Sequence, residues 1–148
     1  MGTCMRKRRS DGAAAVEFAL IMVPLITLMF GLIQYGLYFW AMQGGSDIAR
    51  SAARMAAVGQ PAACSDFKSS VIAQVNQLTG TGSTATITRT YSQQTPGTVS
   101  VGDTVTVTVQ FKSVDMHFPF IPFIRNGLVT SSAQARVDYV PSQPETCS

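Results

Sequence analysis

Few side chains in this sequence are of types that do chemistry, and their spacing mostly keeps them apart. Asp115 and His117 stand two residues apart, but no activated serine or CxxC motif accompanies them. His117 is the single histidine of the chain. A zinc site would need several cysteines or carboxylates at ligand spacing, and none accompany it. Cys64 could serve as a nucleophile with His117 as its base, but no orienting group or oxyanion donor goes with them. The segment "GTGS" from Gly80 to Ser83 lacks the lysine and the strand–helix setting of a phosphate loop. These residues imply no enzyme, no cofactor and no metal. One position remains chemically loaded. Glu17 stands at the mouth of a long apolar run, where a carboxylate costs several kcal/mol unless it has a partner.

The element that carries Glu17 is a membrane helix. No charged residue occurs from Phe18 to Met42. At 1.5 Å per residue that run could reach about 37 Å, more than the roughly 30 Å hydrocarbon core. Pro24 within it is expected to kink the helix. Thr27 and Gly31 form a small-xxx-small pair. A cleaved secretory signal would place small residues after a short apolar region, whereas here Gly12 to Ala15 precede a long one. Arg6, Lys7, Arg8 and Arg9 flank the run on its N-terminal side, and Tyr35, Tyr38 and Trp40 cluster at its far end. This is the pattern of a cytoplasmic basic flank and an outer aromatic belt, so the reading is N-in, C-out.

The net charge of +3 is local to this flank, since the chain from Ala13 onward has seven basic and seven acidic residues. Its alkaline pI is therefore no sign of nucleic-acid binding, which calls for a basic face on a folded surface. Of the three cysteines, Cys4 falls on the reducing side, and Cys64 and Cys147 on the oxidising side. A Cys64–Cys147 disulfide is favoured over two free thiols, because unpaired exported cysteines are uncommon.

Beyond the span, "GGSDIARSAARMAAVG" is expected to continue as a helix after a soft spot at Gly44 and Gly45, capped by Ser46 or Asp47. Ile48, Ala52 and Met55 share one face, and Arg50 and Arg54 lie four apart on another. "PAAC" ends this helix. Phe67, Val71, Val75 and Leu78 predict a second helix that Gly80 stops. The period then changes to two. "STATITRTY" places Ile87, Arg89 and Tyr91 on one face, and "DTVTVTVQF" places Val105, Val107, Val109 and Phe111 inward. A last strand is expected in "LVTSSAQARVDYV", with Val129, Ala133, Ala135, Val137 and Tyr139 on a common face. Three antiparallel strands with one oily face need a cover, and the preceding helix is available. Between the second and third strands, "MHFPFIPFI" sets Phe118, Phe120, Ile121, Phe123 and Ile124 around two prolines. These side chains either tuck under the sheet edge or form an apolar patch for a partner or the membrane surface.

The stretch "GAAAVEFALIMVPLITLMFGLIQYGLYFWA" followed by "DIARSAARMAAVG" resembles the TadE-like family of minor pilins from Tad/Flp pilus systems. The resemblance spans residues 12 to 59, with a looser one in "FIRNGLVTSSAQARVDY". It implies a prepilin peptidase site between Gly12 and Ala13, with Glu17 and Phe18 registering the subunit against its neighbours. Cutting there would leave an amine on Ala13, cationic near neutral pH, that could pair with Glu17 of its own or a neighbouring helix. Such a pair neutralises two charges that are costly in lipid. Ala13 stands where many type IV pilins have phenylalanine, and Phe18 where Tad pilins often have tyrosine.

The expected architecture is α+β. Residues 1–12 form a leader, 13–59 a transmembrane helix with its extension, and 60–148 a small extracytoplasmic head with a helix on a three-stranded antiparallel sheet. The expected function is that of a non-enzymatic minor pilin of the bacterial inner membrane. Its partners would be prepilin peptidase, other pilins, the assembly platform and the lipid bilayer, with no direct contact to nucleic acid. The rival readings are an uncleaved membrane scaffold for the same machinery, or an exported enzyme on a signal anchor.

Overall fold

The computed structural model describes residues 10–80, 82, 84–92, 98–118, 124–140 and 147. One long helix, α1 (Ser10–Ala57), is followed by α2 (Cys64–Thr79) and three strands, β1 (Thr86–Ser92), β2 (Thr104–Lys112) and β3 (Leu128–Arg136). The strands form an antiparallel sheet in the order β1-β2-β3. The expected leader residues Cys4 and Arg6 to Arg9 lie outside the described residues, as do Phe120, Ile121 and Phe123.

α1 runs without interruption through Pro24 and through Gly44–Gly45. The expected soft spot at the two glycines is therefore corrected, and with it the caps at Ser46 and Asp47. Packing explains why glycine stands there. A β-carbon at Gly44 would lie 2.5 Å from Leu78 Cδ1, and one at Gly45 would lie 2.9 Å from Phe111 Cε1 and 3.0 Å from Ser131 Oγ. The glycines let α2 and the sheet approach the backbone of α1, and burial there offsets the roughly 1 kcal/mol that a helical glycine costs. Asp47 instead lies near exposed Arg50, at 3.5 Å. The helix ends in a Schellman motif: Gln60 N–H donates to Met55 O, Gly59 N–H donates to Ala56 O, and Gly59 takes φ 66°.

β2 is the spine of the head. Val105, Val107, Val109 and Phe111 are fully buried, and the threonines between them are half-buried on the other face. Ala49, Ala52, Ala53 and Ala56 of α1 are also buried. Their small side chains bring α1 close against β2 and β3. Phe67, Val71 and Val75 of α2 complete the core on the β1 side. β3 is shorter than its sequence pattern suggests. It stops at Arg136, and Tyr139 is 66% exposed, so Tyr139 does not share the buried face of Val129 and Val137. The cause is a turn rather than a strand. Val137 N–H donates to Asp103 O, and Asp138 and Tyr139 donate their N–H groups to Ala57 O at the end of α1.

Candidate functional site: the exposed helix and its junction with the head

Every residue of α1 from Gly12 to Met29 is exposed. The most apolar 18-residue window of the helix has a mean hydropathy of 2.3, and none of it is buried. Val16, Phe18, Leu20, Ile21, Val23, Leu25 and Leu28 are all more than half exposed. Such a surface is unfavourable in water at roughly 25 cal/mol per Å² and suits lipid or the helices of other subunits. α1 is long and apolar enough to cross a membrane as a single span.

Gly12, Ala13, Glu17 and Phe18 lie together in the first turns of this exposed part. Ala13 and Glu17 are one helical turn apart, about 6 Å along the axis, so they share a face. Nothing lies within 4 Å of a β-carbon built at Gly12. Outside α1 itself, no part of the described chain therefore crowds Gly12. Thr27 and Gly31, one turn apart, leave a shallow groove bordered by Leu28, Leu32 and Tyr35. The Thr27 hydroxyl donates to Val23 O at 2.9 Å.

From Phe30 upward the helix acquires a buried stripe. Gln34, Tyr38, Ala41, Gly45, Ile48, Ala52 and Ala56 recur at spacings of three or four and face the head. Gln34 is 2% exposed. Its Nε2 donates to Val114 O at 3.1 Å, and its Oε1 accepts from Met116 N–H at 3.1 Å. The ring of Phe118 stacks on Phe30 with centroids 4.4 Å apart. The β2–β3 connection therefore runs back along α1 toward the apolar end. The role of Gln34 was not foreseen. Its signal in the sequence was a glutamine inside an otherwise oily run, four residues from both Phe30 and Tyr38.

The other chemically loaded residues do not form a catalytic set. His117 N–H donates to Asp115 Oδ1 at 2.9 Å and His117 Nδ1 lies 3.1 Å from Asp115 O, a local turn with His117 at φ 51°. Cys64 is joined to Cys147, with Cα atoms 5.8 Å apart, which takes Cys64 out of any pairing with His117. Cys147 also bridges to β1, exchanging N–H···O bonds with Arg89. Arg89 is fully buried, and its guanidinium lies 4.8 Å from the ring centroid of Phe67 and 5.6 Å from that of Tyr91. This placement suits a cation over aromatic faces. Burial pushes the Tyr91 phenol above its ordinary pKa, against the opposing pull of Arg89. Among the described residues, no group of three or more His, Cys, Asp or Glu side chains is gathered in one place.

No curated protein and no solved structure matches the chain. Residues 12–57 match the family model described as TadE-like protein. The match begins at Gly12, on the N-terminal side of the expected cut, and ends at Ala57, the last residue of α1. The similarity to the TadE-like family therefore falls on α1: the exposed apolar helix together with the turns on which the head folds.

Proposed function

We propose that this protein is a minor pilin of a Tad/Flp-type pilus, made as a prepilin, cut between Gly12 and Ala13, and acting in pilus assembly or initiation. The observation that carries the reading is an exposed apolar helix whose TadE-like match starts at Gly12, with Glu17 one turn beyond the expected new amine. In this reading the span stores the subunit in the inner membrane with its head outside. The same exposed surface later packs against other pilins. The Glu17 carboxylate and an Ala13 amine would pair at one axial offset, which sets the register of an incoming helix. The head works by contact, not by catalysis. Prepilin peptidase and the assembly platform are the partners this route requires.

The test is N-terminal sequencing of the protein purified from membranes of cells with active prepilin peptidase. The mature chain is expected to begin at Ala13, and Gly12→Val is expected to leave it uncut. A wild-type chain that keeps its basic leader on every copy would reject the pilin reading and leave an uncleaved scaffold of the pilus machinery.

A further inference from the structure

We infer that the β2–β3 connection is a second membrane contact: residues 114–118 lie against α1 in the leaflet on the head's side, with the Phe118 ring in the acyl region. This inference rests on α1 spanning the bilayer, and not on processing or on incorporation into a filament.

The depth argument uses only α1. A span takes roughly 20 residues at 1.5 Å each. A window of that length that leaves Asp11 outside the hydrocarbon cannot end before Gly31, and one that leaves out Asp47 cannot begin after Thr27. Phe30 belongs to every window between these limits. Tilt only adds residues to the immersed part. Phe118 stacks on Phe30 at 4.4 Å, so its ring shares that depth wherever the helix settles.

Irregular backbone at such depth is tolerated only where its polar groups are satisfied by protein or water. Gln34 meets that requirement. It takes up one carbonyl and one N–H of the connection, at Val114 and Met116, from a side chain that is 2% exposed. A glutamine in the oily run is costly by itself, and the irregular backbone at 114 and 116 is costly by itself. Together they satisfy one another. The two hydrogen bonds hold the connection one helical turn above the Phe30–Phe118 pair.

The charges in the connection place its height. His117 lies 3.6 Å from Asp115, and the His117 side chain is 85% exposed. The Asp115 side chain is 35% exposed, and an ionisable pair with so open an imidazole belongs among headgroups and not among acyl chains. The arrangement that satisfies both demands sets Phe118 and Phe30 in the top turn of the hydrocarbon and Asp115 and His117 just above it. Val114 and Met116, 43% and 36% exposed, then face the boundary. Two contacts, the span and this connection, would fix the rotation and height of the head over the membrane.

The experiment places a single tryptophan as a depth reporter in the full, uncleaved chain in phosphatidylcholine vesicles, with Trp40→Phe as background. Phe118→Trp tests the tip, Val114→Trp the upper part, and Leu28→Trp the span. The quenchers are lipids brominated high or low on the acyl chain, and aqueous iodide. With Phe118→Trp, emission is expected to fall about twofold or more with bromine high on the chain and to change little with iodide, as for a ring inside the interface. Val114→Trp is expected to be quenched less by bromine than Phe118→Trp. Adding Gln34→Leu to the Phe118→Trp chain is expected to raise iodide quenching, because the connection loses its two-point hold. Iodide access without bromine quenching at position 118 would put the connection in water and overturn the inference. Shielding from both quenchers would mean that protein covers the ring, and would overturn it equally. If the Leu28→Trp reporter also escapes bromine, the span fails and the inference with it. Failure at position 118 alone leaves the span, and the pilin reading, untouched.

Discussion

Glu17 is the residue on which the proposed assembly step turns. It lies on the exposed part of α1, where no other part of the described chain offers it a counter-ion. In the proposed assembly step its partner is the Ala13 amine of its own or a neighbouring helix. Glu17→Val removes a costly charge, so insertion is expected to stay intact or improve. Cleavage is expected to change little, because the scissile bond follows Gly12. Piliation is expected to fall sharply, and Glu17→Gln is expected to fail nearly as badly, since it keeps shape and a hydrogen bond but loses the ion pair. The measurement is surface pili in cells carrying each variant as the only copy, with the processed fraction read by gel shift. Normal pili with Glu17→Val would rule out a registering carboxylate. The sequence exposed Glu17 because a charge beside an apolar run is conspicuous. Gln34 was not singled out, because its significance lies in Val114 and Met116, 80 and 82 residues away.

At the scale of elements, the two adjacent glycines of α1 make opposite predictions. Both would gain about 1 kcal/mol of helix propensity on changing to alanine. At Gly44 the added carbon meets the flexible end of Leu78, which is half-buried and can turn aside. At Gly45 it meets the fully buried ring of Phe111 and the Ser131 hydroxyl, with β2 and β3 behind them. Gly45→Ala is therefore expected to destabilise the head by about 1–2 kcal/mol, and Gly44→Ala to be neutral or mildly stabilising. Thermal unfolding of the detergent-solubilised protein checks this, with a drop of several degrees expected for Gly45→Ala and none for Gly44→Ala. Equal effects would mean that the sheet does not approach α1 as closely as these distances require. A pair of glycines reads as a break from sequence, because local propensity is the visible signal. Here tertiary contact overrides it.

At the scale of the molecule, the head is closed at its two ends by contacts of long sequence separation. One is Gln34 with the β2–β3 connection. The other is Cys64 with Cys147, a separation of 83 residues. In the chain-entropy treatment a bond closing a loop of that length stabilises the fold by roughly 4–5 kcal/mol. Protein isolated without reductant is expected to leave Cys64 and Cys147 unlabelled by a thiol alkylator until it is reduced. Reduction is expected to lower the melting temperature of the head while leaving membrane insertion unchanged, since α1 inserts on hydropathy alone. Labelling of both residues before reduction would contradict the bond.

The membrane-length helix, the second helix and the alternating strands were legible in the sequence because each rests on a local period: an unbroken apolar run, a spacing of three or four, or a spacing of two. Val105 to Phe111 illustrate this best, since the alternation in β2 alone decides which side chains are buried. The early end of β3 was not legible. Tyr139 continues the alternating pattern, but the carbonyl of Ala57 captures the N–H groups of Asp138 and Tyr139 and turns the chain. Nor could the sequence show which residues of α1 the start of the apolar connection meets. Only the tertiary structure laid Phe118 on Phe30 and matched Gln34 to a backbone that needed its amide. The physical reason is the same in each case: periodicity reports which face of an element is apolar, whereas hydrogen-bond partners and close approaches depend on which elements meet.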